Sequence, residues 1–421
     1  MSRWLDGKTI VLGVSGGIAC YKAADVVRHL RSSGARVRVV LTRHAQEFIT
    51  PLTLQTLAGE PVSTDLFDLT QESEIGHIRL ADTADAVVVA PATANLIGKL
   101  AHGLGDDLLT TVLLATRAPV LVAPAMNVHM WENRLVQANV RALRELGWRI
   151  IEPASGALAC GYEGLGRLPE AGVIVAEVQR AVGPSDLRGE RVLVTAGPNR
   201  EPMDPVRFIS NRSTGRMGYA VAAAAWRRGA EVVLISGPTE ITPPHGVRCE
   251  RAGTAAAMRA AVLREFDAAT MLVMAAAVAD YRPVAPAASK LKKQPGPLLL
   301  ELERTVDILG ELRGRAGDRL MVGFAAETEN VIANAERKLR GKQLDLIVAN
   351  DVAGTDSGFA VDTNAVVLID GTGRTAVPLA SKDEVADRIL DRAVALRRAR
   401  SAAQAGARPA LARPRSARRR R

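Results

Sequence analysis

Thr9-Ile10-Val11-Leu12-Gly13-Val14-Ser15-Gly16-Gly17-Ile18 opens the regular part of the chain. An uncharged run ends in a serine and two glycines. A helix pattern follows from about Ile18 to Ser32, and a second apolar run covers Val37–Leu41. Strand, glycine turn, helix, strand is a βαβ unit. Similar runs recur at Ala86–Ala90 and Val120–Ala123, each followed by a loop that starts with proline. Helix patterns fit Asp107–Thr116 and Asn133–Leu146. Continuous apolar strands alternating with helices predict a parallel sheet covered on both faces.

A break falls at Gly183-Pro184-Ser185-Asp186-Leu187-Arg188-Gly189, and the pattern restarts. Strands are expected at Arg191–Thr195, Glu231–Ser236, Met271–Ala275, Leu320–Ala325, Asp345–Val348 and Ala365–Ile369. Helices are expected at Gly218–Arg228, Thr254–Glu265, Val331–Leu339 and Lys382–Leu396. The chain therefore reads as α/β, with two tandem doubly wound, mostly parallel-sheet (Rossmann-like) domains. Their bounds are 1–184 and 185–396, and a disordered Arg-rich tail is expected at 397–421.

The chain has 421 residues, 48% hydrophobic and 24% charged. These values suit a soluble globular protein and exclude a mainly disordered or collagen-like one. No uncharged apolar run reaches the ~18 residues of a membrane span. The start leads straight into a strand pattern without a signal peptide. Cys20, Cys160 and Cys249 show no CxxC spacing and suggest no disulfide framework. A cytoplasmic location without membrane partners is expected. The net charge of +10 comes from 55 basic and 45 acidic residues. Arg397–Arg421 holds ten arginines and no acid, so the rest is balanced. A basic tail can bind nucleic acid. Without interleaved aromatics, a solvated extension is the favoured reading.

Ligands in doubly wound folds sit at the carboxyl ends of strands. Gly13-Val14-Ser15-Gly16-Gly17-Ile18 lacks the GxGxxG spacing of a dinucleotide site. It fits a phosphate cradle at a helix N-terminus and a plain tight turn equally well. Three further segments lie at strand ends or on loops: Pro91-Ala92-Thr93-Ala94-Asn95, Pro124-Ala125-Met126-Asn127 and Ala159-Cys160-Gly161. His77 stands in Glu74-Ile75-Gly76-His77-Ile78. Each is weak alone, but Cys160 sits in a glycine-dense loop where cores seldom place thiols.

Taken together, these segments, spread over Lys8 to Pro184, resemble the homo-oligomeric flavin-containing cysteine decarboxylases, and among them phosphopantothenoylcysteine decarboxylase. The resemblance implies FMN held by Ser15, Gly16, Gly17, Ile18, Thr42, Thr93 and Asn95. It implies His77 as the base that assists oxidation of the thiol-bearing carbon, and Asn127 as holder of the substrate carboxylate. Cys160 would donate the proton that ends the reaction. The chemistry is coherent. A cysteine carboxylate cannot lose CO2 unless an electron sink stands β to it, and reversible oxidation by a flavin creates one without consuming an external oxidant.

The second half opens with Thr195-Ala196-Gly197-Pro198-Asn199-Arg200 and continues through Arg207 to Asn211-Arg212-Ser213-Thr214-Gly215-Arg216-Met217-Gly218. Glycine, hydroxyls and arginines opening a helix suggest anion binding, with a plain loop as the alternative. Asp280 ends a strand. Lys290, Lys292 and Lys293 follow the Pro/Ala-rich stretch Pro283–Ala288, which reads as a mobile flap or a solvated loop.

From about Arg191 to Leu396 the chain resembles phosphopantothenate–cysteine ligases. The two families occur in this order in a bifunctional enzyme of coenzyme A biosynthesis. The resemblance implies that the carboxylate of 4′-phosphopantothenate is activated by CTP with Mg²⁺ and then attacked by cysteine. It places Asn211 on the acyl group with Arg207 nearby. Ala276 and Asp280 fall near the cytosine and ribose, and Lys290, Phe324, Lys338 and Lys342 complete the nucleotide site. Asn199 and Thr305-Val306 depart from the usual family pattern. The resemblance further implies homo-oligomers: decarboxylase trimers and ligase dimers, which can close into a dodecamer. Two other readings remain: a regulatory flavoprotein that has lost its chemistry, and a decarboxylase of peptide C-terminal cysteines. Retention of His77, Asn127 and Cys160 argues against the first. The attached ligase half argues against both.

Overall fold

The computed structural model describes residues 3–67, 76–157, 161–293, 295–327, 329–351 and 361–406. Contacts divide the chain into two compact units, Met1–Ser185 with Trp226–Gly229, and Asp186–Ala225 with Ala230–Arg421. Among the described residues no helix is long and apolar enough to cross a membrane.

In the first unit β1 (Thr9–Val14), β2 (Arg36–Leu41), β3 (Ala86–Ala92), β4 (Val120–Pro124) and β5 (Arg149–Ile150) form one all-parallel sheet, ordered β2-β1-β3-β4-β5. Alternation along each strand divides the side chains between two cores. Ile10, Leu12, Val37, Val39 and Val88 face a cluster that includes Val26, Val27 and Leu30 of helix Ala23–Ser32 and Ile174 and Val178 of helix Ala171–Val182. Val11, Val40, Val87 and Val89 face the other cluster, with Leu96 and Ile97 of helix Ala94–Ala101 and Leu109, Val112 and Leu113 of helix Leu108–Ala115. Both faces are dry, so both registers of each strand are apolar. Asp107 caps the latter helix through its contact with the Thr110 N–H at 2.8 Å. An antiparallel hairpin, β6 (Ala154–Ala157) and β7 (Glu163–Arg167), follows the sheet.

The second unit places eight strands in one sheet. They are β8 (Arg191–Ala196), β11 (Glu231–Ser236), β12 (Arg248–Arg251), β13 (Met271–Met274), β16 (Leu320–Glu327), β17 (Leu346–Asp351), β18 (Thr363–Asp370) and β19 (Gly373–Ser381). Two short antiparallel pairs lie outside it, β9 (Arg200–Pro202) with β10 (Phe208–Ser210) and β14 (Tyr281–Pro283) with β15 (Leu302–Arg304). The sheet order is β12-β11-β8-β13-β16-β17-β18-β19, parallel through β17 and antiparallel beyond it. Both sheets are thus doubly wound. The order reverses between β1 and β3 in the first and between β8 and β13 in the second, where such folds open a crevice.

Three expectations need correction. The helix expected over Ile18–Ser32 begins as a 3₁₀ turn, Ile18–Lys22, and becomes α only at Ala23. There the Cys20 thiol donates to the Ser15 carbonyl at 3.1 Å. β19 was not expected, because most of its side chains are exposed and Pro378 interrupts its apolar stretch. The final helix does not stop at Leu396; it runs Lys382–Gly406. Arg397–Gly406 is therefore helix rather than disordered tail. Arginine and alanine favour helix, and Arg397 meets Glu190 at 2.9 Å while Arg400 bonds the Asp345 carboxylate. The remainder of the tail lies outside the described residues.

Candidate functional site

At the crevice of the second sheet lies a cleft of about 950 Å³. The segment after β13, Ala275–Val278, lines one side, and Asn211–Gly218, leading into helix Arg216–Arg227, lines another. A Cβ on Gly218 would stand 2.6 Å from the Ala196 Cβ and 2.8 Å from the Thr195 carbonyl oxygen. Only glycine lets this helix start so close to β8. The Asn211 amide donates to the carbonyls of Ala277 (3.1 Å) and Val278 (3.3 Å), which joins the two sides. Thr305 donates its hydroxyl to Ala279 O at 2.6 Å and its N–H to Asp280 O at 2.9 Å. One of the two departures from the family pattern thus holds the Asp280 loop. The other, Asn199, is fully buried, and neither polar atom of its side-chain amide has a partner among the described residues.

Asn211, Ala276, Asp280, Phe324, Lys338 and Lys342 all line this one cleft. Lys338 and Lys342 stand one turn apart on helix Val331–Lys342. Lys338 Nζ donates to Phe324 O at 2.6 Å, and Lys342 Nζ lies 2.9 Å from Asp307 Oδ1. Burial, with repulsion from Lys342, pulls the Lys338 ammonium below its ordinary value against the attraction of Glu327, Asp307 and Asp280. A perturbed lysine in a cleft is a functional-site signal.

Arg207 and Lys290 do not line the cleft. Arg207 grips the buried Asp204, with Nε and Nη2 at 3.0 and 2.6 Å from one carboxylate oxygen. The same oxygen accepts the Leu291 N–H at 3.0 Å, and Arg207 Nη2 reaches Leu291 O at 2.7 Å. Arg207 and the segment bearing the exposed Lys290 are therefore anchored on one carboxylate. Burial raises the Asp204 pKa, but the Arg207 guanidinium and the backbone N–H groups of Val206, Leu291 and Arg207 outweigh it and hold the group well below the usual carboxylate range.

Of four more residues of the cleft, only Arg216 stands in a segment that the sequence marked for anion binding. Arg216, Asn350, Asn364 and Lys382 all line the cleft. Among the described residues, the side-chain carbonyl oxygens of Asn350 and Asn364 are buried without a partner. Lys382 is 6% exposed at the start of its helix and bonds the Val361 carbonyl. Three of them arrive on β17–β19 and the final helix, and the antiparallel return that carries them left no signal in the sequence.

In the first unit the expected cofactor residues converge on the carboxyl ends of β1, β2 and β3. Ser15 donates its hydroxyl to Pro91 O and accepts the Thr93 N–H, both at 2.9 Å. The Thr42 N–H donates to Val14 O at 3.1 Å, and its hydroxyl is buried without a partner among the described residues. A Cβ on Gly16 would lie 2.4 Å from the His44 Cβ, so only glycine lets the turn after β1 pack this closely against His44. Ile18 and Asn95 are exposed beside it. Asn127 caps helix Val128–Glu132 by accepting the His129 N–H at 2.9 Å. Its loop is tied to the sheet by Ala125 N–H to Ala92 O, and to β7 by Met126 N–H to Gly166 O, both 3.0 Å. Cys160, between β6 and β7, lies outside the described residues. His77 stands apart. It lines a separate pocket of about 300 Å³ that contains none of Ser15–Ile18, Thr93 or Asn127.

Residues 1–183 match the family model described as Flavoprotein, and residues 187–396 match DNA/pantothenate metabolism flavoprotein C-terminal domain. The coenzyme A biosynthesis bifunctional protein CoaBC of Bacillus subtilis (strain 168) is 49% identical over 397 residues, covering 93% of this chain and 98% of that one. Its namesake in Escherichia coli (strain K12) is 45% identical over 395 residues, covering 93% and 97%. The crystal structure of the C-terminal domain of a CoaBC protein is 41% identical, covers 50% of this chain and 97% of its own, and superposes with a TM-score of 0.44. On sequence identity over nearly the whole of both chains, this chain belongs to the family of coenzyme A biosynthesis bifunctional proteins CoaBC.

Proposed function

We propose that the second unit is the CTP-dependent phosphopantothenate–cysteine ligase of this bifunctional enzyme, and the first its FMN-dependent decarboxylase. In the ligase the 4′-phosphopantothenate carboxylate attacks the α-phosphorus of CTP and displaces pyrophosphate. The amine of cysteine then attacks the acyl carbon of the acyl-cytidylate, forms the amide and releases CMP. A free carboxylate is a poor electrophile, and the mixed anhydride supplies the leaving group. Asn211 holds the acyl group. Ala276, Asp280 and Phe324 bind the nucleoside, and Lys338 and Lys342 offset phosphate charge. Lys290 and Arg207 act from the segment anchored on Asp204. Mg²⁺ would arrive with the nucleotide, held largely through its phosphates. Among the described residues no cluster of three or more His, Cys, Asp or Glu side chains is built to hold a metal.

The observation that carries the ligase reading is the meeting of Asn211, Ala276, Asp280, Phe324, Lys338 and Lys342 in one cleft. The test is pyrophosphate release with CTP and 4′-phosphopantothenate before cysteine is added. Release that requires both supports the reading. No release, or release equally fast without the acid, would overturn it.

The first unit fits a flavin mononucleotide. Its strand order places Ser15, Thr93 and Thr42 around the β1/β3 crevice, where flavodoxin-like sheets take FMN. The Thr42 hydroxyl, unpartnered among the described residues, leaves a donor for a phosphate, and Gly16 lets the turn after β1 pack directly against His44. Bound there, the flavin supplies reversible two-electron oxidation of the substrate's thiol-bearing carbon. Asn127 orients the carboxylate that leaves as CO2, His77 removes the proton, and Cys160 returns one at the end. The pocket that His77 lines contains none of the Ser15 cradle, and Ile18, Tyr21 and Phe48 are 61%, 59% and 49% exposed. Both facts support a homo-oligomer in which a second copy completes the flavin site. A cytoplasmic location belongs to the same reading.

A further inference from the structure

The pocket that holds His77 carries more positive charge than the decarboxylation uses. Arg36 and Arg38 stand two residues apart on β2 and project from the same face of the sheet. Arg79 stands two residues after His77 on helix Gly76–Thr83. All four line this pocket of about 300 Å³, at the lower end of the size range for small-ligand sites. Two acids line it as well, and both are engaged. Glu60 takes Arg36 in a two-pronged contact, Nε at 2.6 Å and Nη2 at 3.0 Å. Asp65 accepts the Phe67 N–H at 3.1 Å. Arg38 is different: among the described residues it has neither a hydrogen-bond nor an ion-pair partner. It is half-buried. Burial pulls its pKa below the ordinary value, and repulsion from Arg36 and Arg79 adds to this against the attraction of Glu60.

A guanidinium that is partly desolvated and unpaired is stabilised by an anion that enters its pocket. The substrate of the proposed decarboxylase carries charge at both ends. Its cysteine carboxylate reacts. Its 4′-phosphate sits at the far end of the pantothenoyl chain and takes no part in the chemistry. Contacts to such a remote group can orient the reacting end, and the planar fork of arginine suits phosphate oxygens.

We propose that Arg38, with Arg79 beside it, binds the 4′-phosphate of the decarboxylase substrate, so that the pocket next to His77 sets selectivity for the phosphorylated compound. The inference rests on the decarboxylase reading above.

The test uses the full-length protein with its flavin and two substrates, 4′-phosphopantothenoylcysteine and its dephosphorylated form, pantothenoylcysteine. The readout is the ratio of their kcat/KM values. In Arg38→Met that ratio falls by about 10- to 100-fold, the effect of one charged hydrogen bond, mainly through a higher KM for the phosphorylated substrate. Arg38→Lys, which keeps the charge without the fork, falls less. If the ratio holds in Arg38→Met, whether both rates drop together or neither moves, Arg38 has only a structural role and the proposal is wrong. The proposal is equally wrong if the unaltered protein does not discriminate between the two substrates. If the unaltered protein, flavin bound, turns over neither, the decarboxylase reading itself fails and this inference goes with it.

Discussion

In the second unit, six residues spread from Asn211 to Lys342 meet in one cleft, whereas in the first unit the pocket that His77 lines contains none of the Ser15–Thr93 cradle. Both sheets are doubly wound and both have a crevice where the strand order reverses. The difference lies in what surrounds it. Around β8 and β13 the chain adds the Asn211–Gly218 loop, the Asp280–Thr305 contact and the β17–β19 return, which together enclose a cleft. Around β1 and β3 the described residues add the Ser15–Ile18 turn and the Thr93 and Asn127 loops, and the apolar side chains of Ile18 and Tyr21 stay exposed. A phosphate cradle can be built by one crossover, but the walls of a reaction chamber need further segments. The second unit supplies them from its own chain, and the first is read as borrowing them from another copy.

The comparison breaks most visibly at Cys160. Cys160→Ser should leave ligation intact and lower the formation of decarboxylated product by about 10²- to 10⁴-fold, the range for loss of a general acid. Mass spectrometry would show the cysteine adduct, or an oxidised or enethiol form of it, accumulating. Normal turnover would remove Cys160 from the mechanism. The converse variant is Lys338→Met. It should slow CTP-dependent pyrophosphate release by about 10- to 100-fold, as expected for a charged hydrogen bond. Decarboxylation of supplied 4′-phosphopantothenoylcysteine should continue. If both activities fell together, the two sites would not be independent.

Gly16→Ala sharpens the comparison at the cradle. The added methyl would overlap His44, and overpacking of this kind costs about 1–3 kcal/mol. Flavin absorbance per protein should drop while ligation persists; full flavin occupancy would place the cofactor elsewhere. The smallest effect is expected at Asp204→Asn, which loosens Arg207 and the Lys290 segment. Ligase KM values should rise several-fold, on the order of one weakened hydrogen bond. Stability adds a pH signature. The Asp204 pKa is depressed from an ordinary value near 3.8. Its stabilising contribution is therefore present above that value and lost as pH falls through the depressed one. The gap in thermal midpoint between the parent protein and Asp204→Asn should be widest at neutral pH, start to narrow below about pH 4 and close only well below that, at the depressed value. A gap that widens in acid would contradict the assignment.

Much of this was legible in the sequence, for physical reasons. Strands buried on both faces are apolar throughout, so Thr9–Val14 and Ala86–Ala90 announce themselves, and the glycine turn after the first marks the crevice. Asp280 stood out because the fold class fixes where ligands lie, at strand ends, whereas Asn211 and Ala276 were marked by the family resemblance. Lys382 and Asn364 were not, since β19 alternates weakly and their approach to the cleft depends on an antiparallel return. The end of the last helix was missed because arginine and alanine compose both a helix and a solvated tail. Only partners such as Glu190 and Asp345, far away in sequence, distinguish the two.

The central claim is that one chain performs ligation and then decarboxylation at two separate sites. The most direct measurement incubates the purified protein with 4′-phosphopantothenate, cysteine, CTP and Mg²⁺ and follows the products by mass spectrometry, beside Cys160→Ser and Lys338→Met. The parent protein should yield the decarboxylated product, 4′-phosphopantetheine. Cys160→Ser should yield a blocked cysteine adduct, and Lys338→Met should leave the acid largely unreacted. Decarboxylated product from Cys160→Ser at the parent rate, or no cysteine adduct from any of the three, would contradict the claim.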